Sequence, residues 1–147
     1  MRRKSMIMIQ LFFFIGFMTL NHARAAEQLN VKVLDIESNS VILEKESSVL
    51  FDREVQKAIK GIKNITIQAS PLPKKGYLIK VPLTNSIKVK NKWFDDFITE
   101  ALIIYNLEDK TQHRLILYND ENTPVFFDIF FEFTTLSKEL NLEMNGE

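Results

Sequence analysis

The sequence predicts an α+β domain: an antiparallel sheet of five to seven strands with one amphipathic helix packed across it. Three observations favour this fold class. Most of the chain after residue 26 falls into short segments in which apolar and polar side chains alternate, as is typical of strands. One segment, 51–62, has apolar side chains at helical spacing instead. Strands outnumber helices, and this helix lies early among them; a β-sandwich with one incidental helix is the alternative.

The first two strands are predicted to form a hairpin. Val31 and Val33 alternate with other residues before the polar segment 37–40. Val41 and Leu43 do the same after it. Short alternating segments on either side of a Ser/Asn cluster are typical of a β-hairpin.

The helix prediction for 51–62 depends on one apolar stripe. Its members recur at spacings of four, four and three residues: Phe51, Val55, Ile59 and Ile62. Ser48 or Asp52 is suited to cap the start of this helix. Gly61 or Asn64 is suited to supply the left-handed residue that ends it.

Three short strands are predicted between this helix and residue 92. The first, 65–69, ends before Pro71 because proline cannot donate a hydrogen bond to a sheet ladder. The second, 77–81, is closed by Pro82 for the same reason. The third, 87–89, has apolar side chains on one face and lysines on the other.

The second half is predicted to contain the centre of the sheet. Segment 93–100 fits either one or two helical turns or a twisted strand. Segments 101–107 and 115–118 are nearly unbroken apolar runs, which favours a long buried hairpin. Segment 125–133 is predicted as one strand with five large apolar residues on one face: Val125, Phe127, Ile129, Phe131 and Phe133. Residues 135–144 are predicted to close the chain as a short helix.

Residues 1–25 have the three-part layout of a secretory signal peptide. A basic start precedes an apolar stretch over 6–20 and a small-residue triplet that ends at Ala25. We expect cleavage after Ala25, which leaves residues 26–147 as a single domain that is secreted or periplasmic and has no membrane span. An anchor that is never removed is the alternative. A span needs about 20 apolar residues, however, and this stretch is shorter and contains Gln10.

Composition excludes several classes of protein. The chain contains no cysteine, so it is neither a disulfide-stapled scaffold nor a thiol enzyme.

The charge of the chain is unevenly distributed. Its formal net charge is 0, but residues 1–25 carry four bases and no acid, which leaves −4 on residues 26–147. Residues 26–92 carry +5 and residues 93–147 carry −9. Such polarity either steers a partner or is neutralised across one folded surface.

Few residue types suited to catalysis follow residue 25. His113 is the one histidine there and is expected at an exposed or edge position. The sequence contains no phosphate-binding glycine loop, no Gly-x-Ser-x-Gly turn and no Cys/His zinc set. Asp95, Asp96 and Glu100 are close in sequence, but a glycoside hydrolase needs two carboxylates across a cleft. The polar turn 119–122 lacks the calcium-loop pattern. We therefore expect no enzyme activity, no metal and no cofactor.

The basic stretch 74–92 is the candidate partner-binding surface. It contains six lysines and no acid: Lys74, Lys75, Lys80, Lys88, Lys90 and Lys92. Strand alternation places the last three on one side, where they could contact an anionic envelope polymer or an acidic protein surface. The stretch has no arginine, and its aromatic residues flank the lysines, which argues against nucleic acid. A lysine-rich edge that discourages strand pairing is the alternative.

The function that these observations favour is that of a small exported binding or accessory protein of the cell envelope, without catalysis. A structural subunit of a pilus or surface fibre is the second hypothesis, because long alternating strands can support strand exchange between subunits. A small hydrolase that uses carboxylates is the third. The identity of the partner is not encoded in any motif of the chain.

Overall fold

The computed structural model describes residues 28–68 and 70–142, and within them seven strands and two helices follow one another. In chain order they are β1 (Asn30–Asp35), β2 (Ser40–Glu46), α1 (Val49–Lys60), β3 (Ile62–Ile65), β4 (Gly76–Lys90), β5 (Asp95–Asn106), β6 (His113–Tyr118), β7 (Pro124–Ile129) and α2 (Thr134–Leu140). The predicted leader and its cleavage after Ala25 lie outside the described residues, as do Ala69 and the end of the predicted closing helix.

All seven strands belong to one sheet, in the order β2-β1-β4-β5-β6-β7-β3. Every neighbouring pair is antiparallel. The predicted antiparallel sheet is therefore confirmed at the upper end of its expected size. The predicted β1–β2 hairpin is also present, and Asn39 in its turn has a φ of 52°.

The core lies on one face of this sheet. Val33, Ile79, Ile103, Leu115 and Phe127 occupy successive strands at matching register positions and are fully buried. This alignment arises because alternate residues of each strand point to the same side. A band of branched and aromatic side chains therefore runs across five strands.

One prediction for the middle of the chain is wrong: the segments 77–81 and 87–89 are not separate strands. β4 continues through Pro82, and the register of its pairing with β5 shifts between Pro82 and Ile87. Proline is tolerated here because a position at such an irregularity need not donate to the ladder. Beside it, the Ser47 hydroxyl donates to the Pro82 carbonyl oxygen at 2.6 Å.

The ambiguous segment 93–100 is a turn followed by a strand, not a helix, since β5 begins at Asp95. β4 pairs with β1 over residues 77–80, and β5 pairs with β6 over residues 102–104. Beyond these stretches β4 and β5 pair only with each other, as the two strands of a projecting hairpin. At its tip the rings of Trp93 and Phe94 lie 6.4 and 6.3 Å from the ring of Phe127 on β7. Phe127 faces the core, so this tip bends over the core side of the sheet.

Helix α1 contributes its apolar stripe to the same core. Phe51, Val55 and Ala58 are buried in one cluster with the inward side chains of the strands, and α1 contacts β4 and β5. Ser48 is the residue that caps its start, but its side chain makes no capping hydrogen bond. At the other end Gly61 has a φ of −84°, so the predicted left-handed ending is wrong.

Gly61 is required by space, not by backbone conformation. A Cβ at this position would overlap the carbonyl oxygen of Phe130. The Phe130 amide also donates to the Gly61 carbonyl oxygen at 2.8 Å. The helix end and the segment after β7 are thus in direct backbone contact.

Two strands differ from their predicted bounds. The predicted strand 65–69 is wrong: β3 covers Ile62–Ile65 and shares only Ile65 with it, and Ile67 is exposed to solvent. β7 ends at Ile129, yet Phe131 and Phe133 beyond it are buried as expected. Burial therefore follows the predicted apolar pattern further than the strand itself does. Leu136 and Leu140 of α2 are buried, in agreement with the predicted closing helix.

The connection from β3 to β4 lies over the sheet face opposite the core. Arg114 is only 3% exposed and donates from Nε to Asp128 Oδ1 at 3.2 Å. Its other two nitrogens donate to the Pro71 carbonyl oxygen and to Gln68 Oε1. Ile104, opposite Arg114 in register, is fully buried. One buried guanidinium therefore holds this connection against the sheet.

Candidate partner-binding surface

The six candidate lysines lie at three places along β4. Lys74 and Lys75 precede its first residue, Lys80 lies near its middle, and Lys88 and Lys90 lie at its end. Lys92 follows in the turn to β5. A strand rises about 3.3 Å per residue, so the ten positions from Lys80 to Lys90 correspond to about 33 Å of chain. Of the six, Lys88 and Lys90 share one carboxylate neighbour, Asp95, and Lys92 follows two residues later in the turn.

The hairpin of β4 and β5 places Lys88 and Lys90 on its outer side. Val89 between them is buried, so both lysines point away from the core. Lys90 pairs with Asp95 in register, and Lys88 pairs with Phe97. The Lys88 ammonium lies 2.6 Å from Asp95 Oδ1, and that of Lys90 lies 3.9 Å from Asp95 Oδ2.

Two of these lysines also lie over aromatic rings. Lys88 Nζ is 5.2 Å from the centre of the Phe97 ring, and Lys92 Nζ is 4.1 Å from that of Trp93. Each arrangement is a cation–π contact. Trp93 packs against the core, whereas Phe97 is 64% exposed. We call the set Lys88, Lys90, Lys92, Asp95 and Phe97 the hairpin surface.

The turn at the tip is held by one asparagine. Asn91 Oδ1 accepts hydrogen bonds from the backbone amides of Trp93 and Phe94 at 2.8 and 2.9 Å. The Asn91 amide donates to the Phe94 carbonyl oxygen at 2.8 Å. An asparagine side chain that bonds to the backbone two residues on is a common stabiliser of such turns. Lys90 therefore directly precedes an ordered turn, and Lys92 lies within it.

The hairpin surface is positively charged at neutral pH. The hydrogen bond from Lys88 holds the pKa of Asp95 below its ordinary value, and the charges of Lys88 and Lys90 act in the same direction. Asp95 therefore stays ionised. Three ammonium groups and one carboxylate leave a net charge of two positive units.

The other three candidate lysines each lie beside a carboxylate. Lys80 Nζ is 3.1 Å from Glu100 Oε2, and Lys75 Nζ is 3.5 Å from Glu37 Oε1. The Lys74 backbone amide donates to a carboxylate oxygen of Glu108 at 3.0 Å. These positions carry less uncompensated charge than the hairpin surface does.

A groove of about 330 Å³ adjoins Lys80. Its lining residues are Gln28, Leu29, Asn30, Lys32, Lys80, Pro82 and Glu100. Lys32 lies directly opposite Lys80 in register, which is unfavourable for two like charges. Glu100 beside Lys80 and Glu44, 3.6 Å from Lys32, offset this repulsion. Each of the two lysines in the groove therefore has a carboxylate beside it, one within the lining and one outside it.

The three carboxylates of the hydrolase hypothesis do not share one side of a helix. Asp95 and Asp96 are consecutive on a strand, so they point to opposite faces. Asp95 pairs with Lys88, Glu100 pairs with Lys80, and Asp96 Oδ2 accepts from the Asp120 amide at 3.2 Å. Each is engaged with a different partner.

The prediction for His113 is wrong: it is 6% exposed and lies on β6, an interior strand. Its ring stacks on Tyr105 at 4.9 Å and meets Phe133 edge-on at 4.6 Å. Its Nδ1 accepts a hydrogen bond from the Asn106 amide at 3.3 Å. Burial lowers the pKa of His113 from 6.5 to about 4, so the ring is neutral at pH 7.

Sequence reasoning missed Asp95 and Phe97 as members of this surface. The signal that could have found them is the register across the turn. If the strand begins at Asp95, a four-residue turn over 91–94 places Lys90 opposite Asp95 and Lys88 opposite Phe97. The ambiguity of that segment concealed the pairing.

Comparisons with known proteins identify no relative of this chain: no family model, no curated protein and no solved structure matches it. Among residues 28–68 and 70–142, no cluster of three or more His, Cys, Asp or Glu side chains is arranged to hold a metal ion. Neither helix of this described part has the length and apolar character needed to cross a bilayer.

Proposed function

We propose that this chain is an exported, non-catalytic binding or accessory protein of the cell envelope, and that the hairpin surface contacts an anionic polymer or an acidic protein surface. One observation carries the proposal. Lys88 and Lys90 point outward from the end of β4 beside one carboxylate, Asp95, and a largely exposed phenylalanine, and the exposed Lys92 follows two residues later. The predicted leader is the basis for the export part of the proposal.

Lysine chemistry suits contact with many anionic groups along a polymer. An ammonium group is a compact charge with three donors on a flexible stem, so it binds anions without requiring one geometry. Each released counterion makes such binding dependent on salt. Phe97 adds an exposed apolar ring beside the charges, which a purely electrostatic surface would lack.

The hairpin surface is also held in place before any partner arrives. Trp93 and Phe94 pack against Phe127, and Asn91 orders the turn between the lysines. A preorganised surface loses less conformational entropy on binding than a mobile loop does. The backbone beneath Lys88 and Lys90 therefore need not be ordered by the partner.

The test is a triple substitution of the hairpin lysines. We expect Lys88→Ala, Lys90→Ala and Lys92→Ala together to weaken binding to polyanions such as heparin or lipopolysaccharide by about threefold or more, because each exposed charge contact contributes about 0.2–1 kcal/mol. The measurement is titration by fluorescence anisotropy at several salt concentrations. The slope of log affinity against log salt should become shallower in the variant.

The matched control removes the same charge elsewhere. Arg53, Lys60 and Lys138 are exposed on the two helices and are replaced together by alanine. The hairpin proposal requires this control to bind nearly as well as the unmodified protein. Equal weakening in both triple variants would show that only total charge matters, and unchanged binding in the hairpin variant would exclude the surface.

A structural subunit of a pilus or surface fibre is a second candidate function. The observation that favours it is that β2 and β3 are the two outermost strands of the sheet, each with one unpaired side. Exposed strand edges can add strands from another chain. Growth of the purified protein into long fibres would favour this function over the first.

A further inference from the structure

The turn between β5 and β6, residues 107–112, is closed at its base by a histidine ring. Asn106 is the last residue of β5 and His113 is the first of β6. The Asn106 backbone amide donates to His113 Nδ1 at 3.3 Å, and both residues are buried. A hydrogen bond between a backbone donor and an ionisable ring therefore joins the two ends of the turn.

This hydrogen bond is compatible with only one protonation state of the ring. A backbone amide donates and cannot accept, so Nδ1 must present its lone pair to Asn106. The proton of the neutral ring then lies on Nε2. The imidazolium carries a proton on both nitrogens, so it would direct a second donor at the Asn106 amide. A charged His113 and a closed base of the turn therefore exclude each other.

The surroundings of the ring are apolar on most sides. The Tyr105 ring stacks on His113 at 4.9 Å, and Phe133 meets it edge-on at 4.6 Å. The residue opposite it in register on β7 is Ile129. A buried charge is stable only when it is paired or hydrogen-bonded. The imidazolium therefore gains hydration only when the ring leaves this position.

Two charged groups act on the ring in opposite directions. Asp109 in the turn favours the imidazolium, and Lys63 on β3 disfavours it. Tyr105, the titratable group that stacks on the ring, stays uncharged because burial raises its pKa above the ordinary value. Burial outweighs the attraction of Asp109 and lowers the pKa of His113 to about 4. At mildly acidic pH, a proton is taken up only where the ring is exposed.

The first half of the turn is tied to the segment before β4. The Leu107 amide donates to the Lys75 carbonyl oxygen at 3.1 Å. A carboxylate oxygen of Glu108 accepts from the Lys74 backbone amide at 3.0 Å. The half of the turn that is suited to move is therefore the second one, residues 109–112.

The second half of the turn bonds mainly within itself. Asp109 Oδ1 accepts from the Thr111 amide and hydroxyl at 2.9 and 2.6 Å, and the Asp109 carbonyl oxygen accepts from the Gln112 amide at 3.0 Å. Asn106 Oδ1 also accepts from the Asp109 amide at 3.0 Å, which joins this half to β5. These residues form a small unit that can move together once the bond to His113 is broken.

We propose that residues 109–112 and His113 form an acid-sensitive latch. When the His113 ring takes up a proton, its hydrogen bond with the Asn106 amide breaks and the second half of the turn moves away from β5, while the rest of the sheet stays paired. Opening uncovers the ring faces of Tyr105 and Phe133. The latch goes beyond the proposed binding function and does not rest on it.

Hydrogen exchange of the Asn106 amide, in the purified product of the full-length chain, measures this opening. Its protection factor, corrected for the intrinsic pH dependence of exchange, should fall about twentyfold between pH 7 and pH 5. The reason is that the open form binds a proton near pH 6.5 and the closed form near pH 4. Low concentrations of urea should leave this exchange unchanged, because a local opening exposes little surface. Exchange of the Leu115 amide, in the sheet core, should respond to urea.

The turn between β6 and β7 is a matched control within the same molecule. It is also held by an asparagine, since the Thr123 amide donates to Asn119 Oδ1 at 2.8 Å. Its titratable side chains, Asp120 and Glu121, have ordinary pKa values near 4. The corrected protection of the Thr123 amide should therefore stay constant between pH 7 and pH 5.

Two further measurements test the role of the ring directly. In the His113→Asn variant, the protection of the Asn106 amide should no longer depend on pH between 5 and 7. Nitrogen NMR of the unmodified protein at pH 7 should find His113 Nδ1 without a proton. This second measurement needs no substitution, so it decides even if the variant does not fold.

Three results would overturn the latch. They are a proton on His113 Nδ1 at pH 7, a protection factor of Asn106 that is as sensitive to urea as that of Leu115, and an undiminished pH dependence in His113→Asn. The second result would indicate that the ring is exposed only by unfolding of the whole domain.

Discussion

His113 illustrates how tertiary packing changes the chemistry of one residue. Its ring is enclosed by Tyr105 and Phe133, and Asp109 and Lys63 are the charged groups near it. Burial disfavours the imidazolium, and the attraction of Asp109 does not offset this effect. In the unfolded chain the same imidazole has an ordinary pKa near 6.5. Folding is therefore coupled to the loss of a proton at mildly acidic pH.

The free energy of unfolding should fall as the pH falls from 7 to 5. Between pH 6.5 and about 4 the unfolded state binds a proton on His113 and the folded state does not. Stability is therefore greatest above pH 6.5 and declines by about 2 kcal/mol between pH 7 and pH 5. Urea denaturation at the two pH values measures this difference.

A substitution separates His113 from the other titrating groups. Asn in its place keeps an acceptor near the Asn106 amide but does not titrate. The His113→Asn variant is expected to be less stable at both pH values, because it loses the ring contacts, but to show a smaller pH dependence. An undiminished pH dependence in this variant would assign the effect to other residues.

The aspartates contribute in the opposite pH range. Hydrogen bonds from Thr66, Asn64 and Arg114 hold the pKa of Asp128 below its ordinary value, although burial opposes them. A carboxylate with a lowered pKa stabilises the fold above its unfolded pKa, and this contribution is lost as the pH falls through the folded value. Such losses begin below about pH 4 and so lie outside the range assigned to His113.

At the scale of elements, one buried carboxylate adds hydrogen bonds to the apolar contact between α1 and β4. Asp52, in the first turn of the helix, accepts hydrogen bonds from the Thr84 amide at 3.1 Å and from the Thr84 hydroxyl. Thr84 lies within the irregular stretch of β4 between Pro82 and Ile87. A helix terminus thus stabilises the bend of a strand that is far from it in sequence.

Asp52→Ala should destabilise the protein by about 1.5–3 kcal/mol, because hydrogen bonds to charged groups are stronger than those between neutral groups. The measurement is urea denaturation at pH 7. Arg53→Ala is the matched control, since Arg53 is the exposed neighbour on the same turn, and it should change stability by less than about 0.5 kcal/mol. Similar losses in the two variants would contradict the role of the Thr84 contact.

The elements that sequence analysis predicted well are those with a long, consistent apolar pattern. The β1–β2 hairpin, helix α1, strand β6 and the second half of β5 belong to this group. The course of β4 was not predictable, because Pro82 ends a strand unless tertiary contacts support an irregularity there. Ser47 and Asp52 supply those contacts from outside β4.

The candidate surface was predictable only in part. Alternation identified Lys88 and Lys90 as outward, because that property belongs to a single strand. Their pairing with Asp95 and Phe97 depends on which strand lies beside β4, and the isolated segment does not encode that choice. The separation of Lys74 and Lys75 from the hairpin surface likewise follows from the length of β4.

At the scale of the whole molecule, ion pairs within the fold offset part of the uneven charge distribution. Bases from the first half meet acids from the second half in the pairs Lys45–Glu139, Lys80–Glu100 and Lys88–Asp95. Exposed ion pairs contribute little stability individually. They do reduce the net field that either half presents to a partner. The hairpin surface, with three lysines and one carboxylate, keeps a net positive charge after these pairs form.

The proposed export predicts a specific mature form. When the full-length chain is produced in a bacterial host and recovered from the periplasm or medium, intact-mass spectrometry should find a product that begins at Ala26. The small-residue triplet before that position suits a signal peptidase. Ala25→Arg keeps the apolar segment intact but replaces a small residue of the triplet, so it serves as the comparison for impaired processing at this site. Recovery of the whole chain from the cytosol, with Met1 or Arg2 at its start, would contradict export.

The sequence by itself determined which segments alternate, which of their faces are apolar, and that thiol and zinc chemistry through Cys/His sets is absent. These are local properties, set by residue type and by the repeat of a strand or helix. Only the tertiary structure decided strand order, the bend of the β4–β5 hairpin, the burial of His113 and the exposure of Ile67. Each depends on which surfaces meet, and contacts between residues distant in the chain decide that.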